Sequence, residues 1–159
     1  MTKTDIELIN DIKNELEKND HSLIILVGSQ IEKSSLIKKL EELDSLNTVN
    51  LNYHLSKILS DIPKNELTNP VELIEKLLLE YPTTIFFNYN NILFDSSLQW
   101  NPLDIFKKLA RNRRIVVFWD GQKGNRSLKY ALTGHKDFSE FQLPESDEIL
   151  IMQTNDHTI

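Results

Sequence analysis

The sequence predicts a three-layer α/β domain, a mostly parallel sheet with helices on both faces, and three observations carry that reading. First, "LIILV" at 23–27, "TIFF" at 84–87 and "RIVVFW" at 114–119 are short, almost wholly apolar runs rich in β-branched and aromatic residues. Such runs lack the alternation of a half-exposed strand and suit strands covered on both faces. Second, amphipathic helical patterns separate them, the signature of parallel strands joined by helical crossovers. Third, Gly28, Asn88 and Asp120 each follow one of the three runs, at the carboxyl ends where such sheets gather ligands.

The elements follow in order. "TDIELINDIKNELEK" at 4–18 places Thr4 and Glu7 in capping-box spacing, and Ile6, Ile9, Ile12 and Leu16 follow at helical intervals. After the first apolar strand, Leu36, Ile37, Leu40 and Leu43 mark the inner stripe of a second helix. "TVNLN" at 48–52 is a weaker strand candidate, with a short helix expected near 54–60. Asn69 caps the next helix, Pro70 suits its first turn and "VELIEKLLLE" is its body; Pro82 ends it before the second apolar strand. Asn101 and Pro102 repeat the device ahead of "LDIFKKLARN" and the third strand. "LKYAL" at 128–132 and "ILIM" at 149–152 are expected edge strands, and "WDGQKGNR" at 119–126 a glycine-containing loop beside the first strand's loop.

With 159 residues the chain is read as one domain, 1–159, of ordinary globular composition: 40% hydrophobic and 26% charged. It has no cysteine, which excludes disulfides, thiolate nucleophiles and Cys-ligated zinc. A net charge of −6 argues against broad attraction to nucleic-acid phosphates. No apolar run reaches membrane-spanning length, and "MTKTDIELIND" is too polar for a signal peptide, so a cytoplasmic location is expected. His21, His54, His135 and His157 are scattered without metal-ligand spacing, and no G-x-S-x-G elbow occurs. No metal site and no catalytic residue is assigned.

The segment "SLIILVGSQIEKSSLIKKL" at 22–40 raises the functional question. A phosphate-binding P-loop, G-x-x-x-x-G-K-[ST], works because backbone N–H groups and a helix N-terminus cradle the phosphates, a Lys reaches their oxygens and a hydroxyl holds Mg²⁺. Here the second glycine is missing and the spacing is one residue short. With a one-residue gap, Lys33 and Ser34 take the Lys and hydroxyl roles. Without it, Lys33 falls on the glycine, Ser34 on the lysine and Ser35 on the Mg²⁺ ligand, leaving no cation. The gapped version keeps the groups with chemistry and is preferred. Gly28, Ser29, Lys33, Ser34, Ser35, Asn88 and Asp120 are thus the candidate nucleotide-binding residues, with ATP and Mg²⁺ as the cofactor such a loop would accept. P-loop enzymes hold the metal's water shell with an acid after a buried strand. "FFNYNN" puts the neutral Asn88 there, and Asp95 suits a turn instead. Two altered parts of one machine argue for decayed or absent catalysis. "ARNRR" at 110–114 places Arg111, Arg113 and Arg114 between a helix end and a strand. There they complement a helix dipole or contact a partner, a neighbouring subunit or phosphates.

Several segments together resemble the BrxF family, P-loop-containing proteins of type 3 BREX phage-defence systems. The resemblance is carried by "LIILVG" at 23–28, by "FFNYNNILFDSSLQWNPLDIFKKLARNRRIVVFWDG" at 86–121, and by "LKYALTGHKDF" at 128–138 with Tyr130, Gly134 and His135. It spans most of the chain, and its central block is the specific part. It implies a P-loop NTPase-like fold with a RecA/AAA-like core, and an accessory subunit beside a larger ATPase, a methyltransferase and an alkaline-phosphatase-like component. The family's nucleotide site would fall on Gly28, Lys33, Ser34 and Asn88. The expected partners are therefore other BREX subunits, with DNA contacted at most indirectly and further copies of the chain in an oligomer. An adaptor without hydrolysis is the leading expectation. The alternatives are a weak ATP-binding switch or ATPase completed by a partner, and a DNA-contacting subunit.

Overall fold

The computed structural model describes residues 4–18, 22–29, 34–62, 69–130, 139–143 and 149–153. Along the chain run α1 (Asp5–Lys18), β1 (Ser22–Gly28), α2 (Ser34–Glu41), β2 (Asn47–Asn50), α3 (Leu51–Asp61), α4 (Pro70–Leu78) and β3 (Thr84–Asn88). A 3-10 turn (Asn91–Phe94), α5 (Pro102–Leu109), β4 (Arg114–Gly124), β5 (Ser127–Tyr130), β6 (Ser139–Gln142) and β7 (Ile149–Gln153) follow. The strands lie in the order β2-β3-β4-β1-β7, with every neighbouring pair in that row parallel. Ser22 faces Arg114 and the register runs through to Gly28 opposite Asp120.

Local chemistry sets the helix starts. Thr4 Oγ1 accepts the Glu7 N–H at 3.2 Å, half of the expected capping box. Asn50, Asn69 and Asn101 each accept a first-turn N–H through the side-chain oxygen, at 3.0, 2.9 and 3.1 Å. Pro70 and Pro102 then occupy the first helical position, where the missing N–H has no consequence. Helix α3 begins at Leu51, directly after β2, because Asn50 ends the strand and caps the helix at once.

Alternation along the strands divides the core between the two faces of the sheet. Ile24 and Leu26 of β1, Phe86 of β3, and Val116 and Phe118 of β4 pack with Leu8, Ile12 and Leu16 of α1 and Leu36, Ile37 and Leu40 of α2. On the other face Ile25, Val49, Phe87 and Val117 pack with Leu55 of α3, Ile74 and Leu78 of α4, and Phe106 and Leu109 of α5. Burying each such apolar side chain contributes roughly 1.5–3 kcal/mol, so unbroken apolar runs are what a sheet covered on both faces requires.

The structure departs from expectation after Trp119. Instead of ending in a loop, β4 continues through Gly124, and its last four residues pair antiparallel with β5, which pairs in turn with β6. Residues 119–126 are therefore strand and a tight turn, with Arg126 at φ 64° in the left-handed region. The region 128–132 contributes an inner strand of this meander as far as Tyr130, not an edge. What pins the meander is aromatic. Phe94 stacks on Tyr130 with centroids 3.8 Å apart and meets Trp119 and Phe141 edge-on at 4.8 and 6.0 Å. Trp119 Nε1 also donates to the Lys129 carbonyl at 3.1 Å. The strand at 149–153 is an edge, as anticipated, parallel to β1.

Candidate functional site

The phosphate-loop candidates begin at the carboxyl end of β1. Gly28 is buried and Ser29 half-buried, while Ser34 and Ser35 are exposed in the first turn of α2. Lys33 lies outside the described residues. No acidic side chain occupies the first turn of α2, and Lys38 and Lys39 sit in its last turn. The cations of the last turn balance the negative C-terminal end of the helix.

Register and alternation bring the other candidates to the same corner. Asp120 is the direct neighbour of Gly28 across the β1–β4 pair. Asn88 closes β3, one strand further on. Both follow, by two residues, side chains of the α1/α2 core, Phe118 and Phe86, so both belong to the face that carries α2. Gly28, Asn88 and Asp120 thus share one end and one face of the sheet with the start of α2. Asn88 is fully buried, with its Oδ1 accepting the Tyr89 N–H at 2.9 Å; Asp120 is half-exposed.

The asparagines after β3 form a brace that sequence reading missed. Asn90 is buried and its Nδ2 donates to the Phe87 carbonyl at 3.2 Å and the Phe118 carbonyl at 2.9 Å, tying β3 to β4. Asn91 Nδ2 donates to the Tyr130 hydroxyl at 2.6 Å. Asn52, in α3, accepts the Ile92 N–H at 2.8 Å through Oδ1 and donates its own N–H to the Tyr89 carbonyl at 2.8 Å. Tyr89 is held at φ 56° with its ring exposed, a backbone region a bulky residue seldom enters. The signal was available: three amides within four residues after a buried strand supply donors and acceptors for strand ends that have run out of ladder. Asp95 fills its expected turn role, accepting the N–H and hydroxyl of Ser97 at 2.9 and 2.8 Å.

The arginines lie at the other end of the sheet. Arg113 Nη1 donates to both carboxylate oxygens of Glu75 on α4 at 2.7 Å. Arg114 Nη1 donates to the Leu16 carbonyl in the last turn of α1 at 2.9 Å. Arg114 thus serves a helix C-terminus, but that of α1 and not of the α5 helix preceding it in sequence. Arg111 is exposed. With β4 running its length between them, Arg113 and Arg114 cannot line the same site as Gly28 and Asp120.

No group of three or more His, Cys, Asp or Glu side chains among the described residues could hold a metal ion, and no helix there is long and apolar enough to cross a membrane. Compared with protein-family models, with curated proteins and with solved structures, the chain matches none.

Proposed function

We propose that this chain is a non-hydrolysing adaptor subunit with a P-loop NTPase-like core, working in a phage-defence complex of the BREX type. The observation that carries the reading is the strand order. The strand leading into the loop, β1, sits between β7 and β4, and β4 separates it from β3, which ends in Asn88. RecA/AAA-like P-loop domains arrange the loop strand, the intervening strand and the metal-side strand in this way. The common face of Gly28, Asn88, Asp120 and the start of α2 supports the same assignment. The BREX setting rests on the resemblance of residues 23–28, 86–121 and 128–138 to the BrxF family.

Loss of turnover follows from the residue types. A neutral amide at position 88 adds no charge toward Mg²⁺, and the loop lacks both a residue and a glycine of the phosphate nest. The second reading, a weak ATP-binding switch completed by a partner, draws support from the first turn of α2, which exposes Ser34 and Ser35 and carries no acidic side chain. The DNA-contacting reading gains nothing from Arg113 and Arg114, whose guanidinium groups are engaged within the fold.

Calorimetric titration of ATP and Mg²⁺ into the wild type and Lys33→Ala, with phosphate release followed in parallel, tests the proposal. The adaptor reading expects no phosphate release and no heat that depends on Lys33. Heat abolished by Lys33→Ala replaces it with the switch, and steady turnover by the isolated chain removes it.

A further inference from the structure

We infer that the corner where β2 and β3 end is a binding surface for single-stranded nucleic acid, with Tyr53 and Tyr89 stacking on bases and Lys57 meeting a phosphate. The inference uses neither the phosphate loop nor the adaptor reading, and it concerns the opposite end of the sheet from Arg113 and Arg114. It starts from two exposed rings that the fold brings together. Tyr53, in the first turn of α3, is 53% exposed, and Tyr89, directly after β3, is 42% exposed. Asn50 closes β2 opposite Asn88 of β3, and its side chain accepts the Tyr53 N–H at 3.0 Å. Asn52, the neighbour of Tyr53, donates its N–H to the Tyr89 carbonyl at 2.8 Å. Both rings thus stand on backbone clamped at one corner.

The conformation of Tyr89 points to a role outside the fold. It holds φ 56°, a region that glycine or asparagine occupies at lower cost than a bulky residue. Asn88 Oδ1 fixes its N–H at 2.9 Å and Asn52 fixes its carbonyl, so the conformation is imposed from both sides. A ring this exposed gains little from packing to offset the strain. Strained residues of this kind cluster where a side chain is presented to a ligand.

The surroundings select the class of ligand. Neither residues 45–60 nor residues 81–94 include an Asp or Glu, in a chain that carries 24. Those segments supply β2, most of α3, β3 and the turn after it, so they lack the carboxylates that make the chain as a whole acidic. Asp61 lies roughly 12 Å further along α3 than Tyr53, and Asp120 belongs to the face of the sheet that carries α2, whereas α3 packs on the other. Lys57 stands one helical turn from Tyr53 with its Nζ 4.3 Å from the ring centroid, and no carboxylate among the described residues pairs with it. Flat rings stack on any base, and a cation beside them meets the backbone phosphate where no carboxylate repels it. A duplex keeps its base faces stacked on one another, so the occupant is a single strand.

Fluorescence anisotropy of a labelled twelve-nucleotide oligothymidylate, titrated with the full chain across a salt series, tests this. Saturable binding is expected that a duplex of the same length does not displace. Tyr53→Ala and Tyr89→Gly should each weaken it about tenfold, the loss of one stacked base, while Tyr89→Phe keeps the ring and the affinity. Glycine accepts the backbone angle of Tyr89 without strain, which separates loss of the ring from loss of the fold; Tyr53→Ala carries the test if the glycine variant does not fold. Lys57→Met should lower the slope of log affinity against log salt by about 0.7, one phosphate contact. No saturable binding by the wild type, competition by the duplex equal to that of the single strand, or affinity indifferent to both ring removals would overturn the inference. So would a wild type that self-associates on sedimentation while Tyr53→Ala stays monomeric, since the rings would then be covered by a second copy.

Discussion

Asn91 reaches from the turn after β3 to Tyr130 on β5, with its Nδ2 2.6 Å from the phenol oxygen. The bond joins the polar corner of the parallel sheet to the aromatic cluster that anchors the meander. Tyr130→Phe keeps the ring stacked on Phe94 and removes the bond to Asn91. A loss of about 1 kcal/mol in a urea titration is expected, with the slope unchanged. No change would show that the amide finds water equally well.

Asn90→Leu is expected to cost more. The buried amide serves the carbonyls of Phe87 and Phe118 together, and replacing it strands two acceptors away from water. A loss of about 2–4 kcal/mol follows from the desolvation of unmade bonds. Amide exchange should also quicken at the carboxyl ends of β3 and β4 before it quickens elsewhere.

The Arg113–Glu75 pair and the Asp104–Lys108 pair should separate in double-mutant cycles. In the first, the Arg113 side chain is only 13% exposed and one nitrogen meets both carboxylate oxygens at 2.7 Å. In the second, both side chains are more than 40% exposed. Coupling of about 1–2 kcal/mol is expected for the first pair, persisting in high salt, against about 0.3–0.5 kcal/mol for the second, lost to screening. Equal coupling energies would contradict this account.

Gly121→Ala should break the meander while sparing the parallel sheet. A Cβ at Gly121 would lie 1.9 Å from the Lys129 carbonyl oxygen, a backbone atom that cannot step aside. The same oxygen accepts from Trp119 Nε1, so the substitution should appear as a change in tryptophan fluorescence with a loss of about 3 kcal/mol. At Gly124 the nearest obstacle is the Ser127 hydroxyl, which can rotate, and Gly124→Ala is expected to cost less.

Much of this architecture could be read along the chain. The three apolar runs became β1, β3 and β4, and the Asn-Pro pairs at 69–70 and 101–102 became helix starts, because covering on two faces and capping are local demands written into residue type. Edges and continuations were harder. "DGQKGN" holds two glycines and reads as a loop, yet Gly121 is needed where β4 passes close against the Lys129 backbone. β6, "SEFQ", has a single apolar residue, Phe141, whose value lies in its contacts with Phe94 and Trp119. Those partners are distant in sequence, and no local pattern announces them.

The candidate site divides in the same way. Residue order alone determined that Gly28, Asn88 and Asp120 each follow an apolar run, and that Asn88 is an amide where the P-loop pattern has an acid, because these depend only on identity and spacing; that the strands extend through all three residues came from the fold. Tertiary structure decided which of them meet. Parallel register set Gly28 beside Asp120, alternation turned Asn88 toward the same face, and Glu75 and Leu16 claimed Arg113 and Arg114 at the far end of the sheet. Side-chain facing and pairing are properties of neighbouring strands and helices, so they come into being only when the chain has folded.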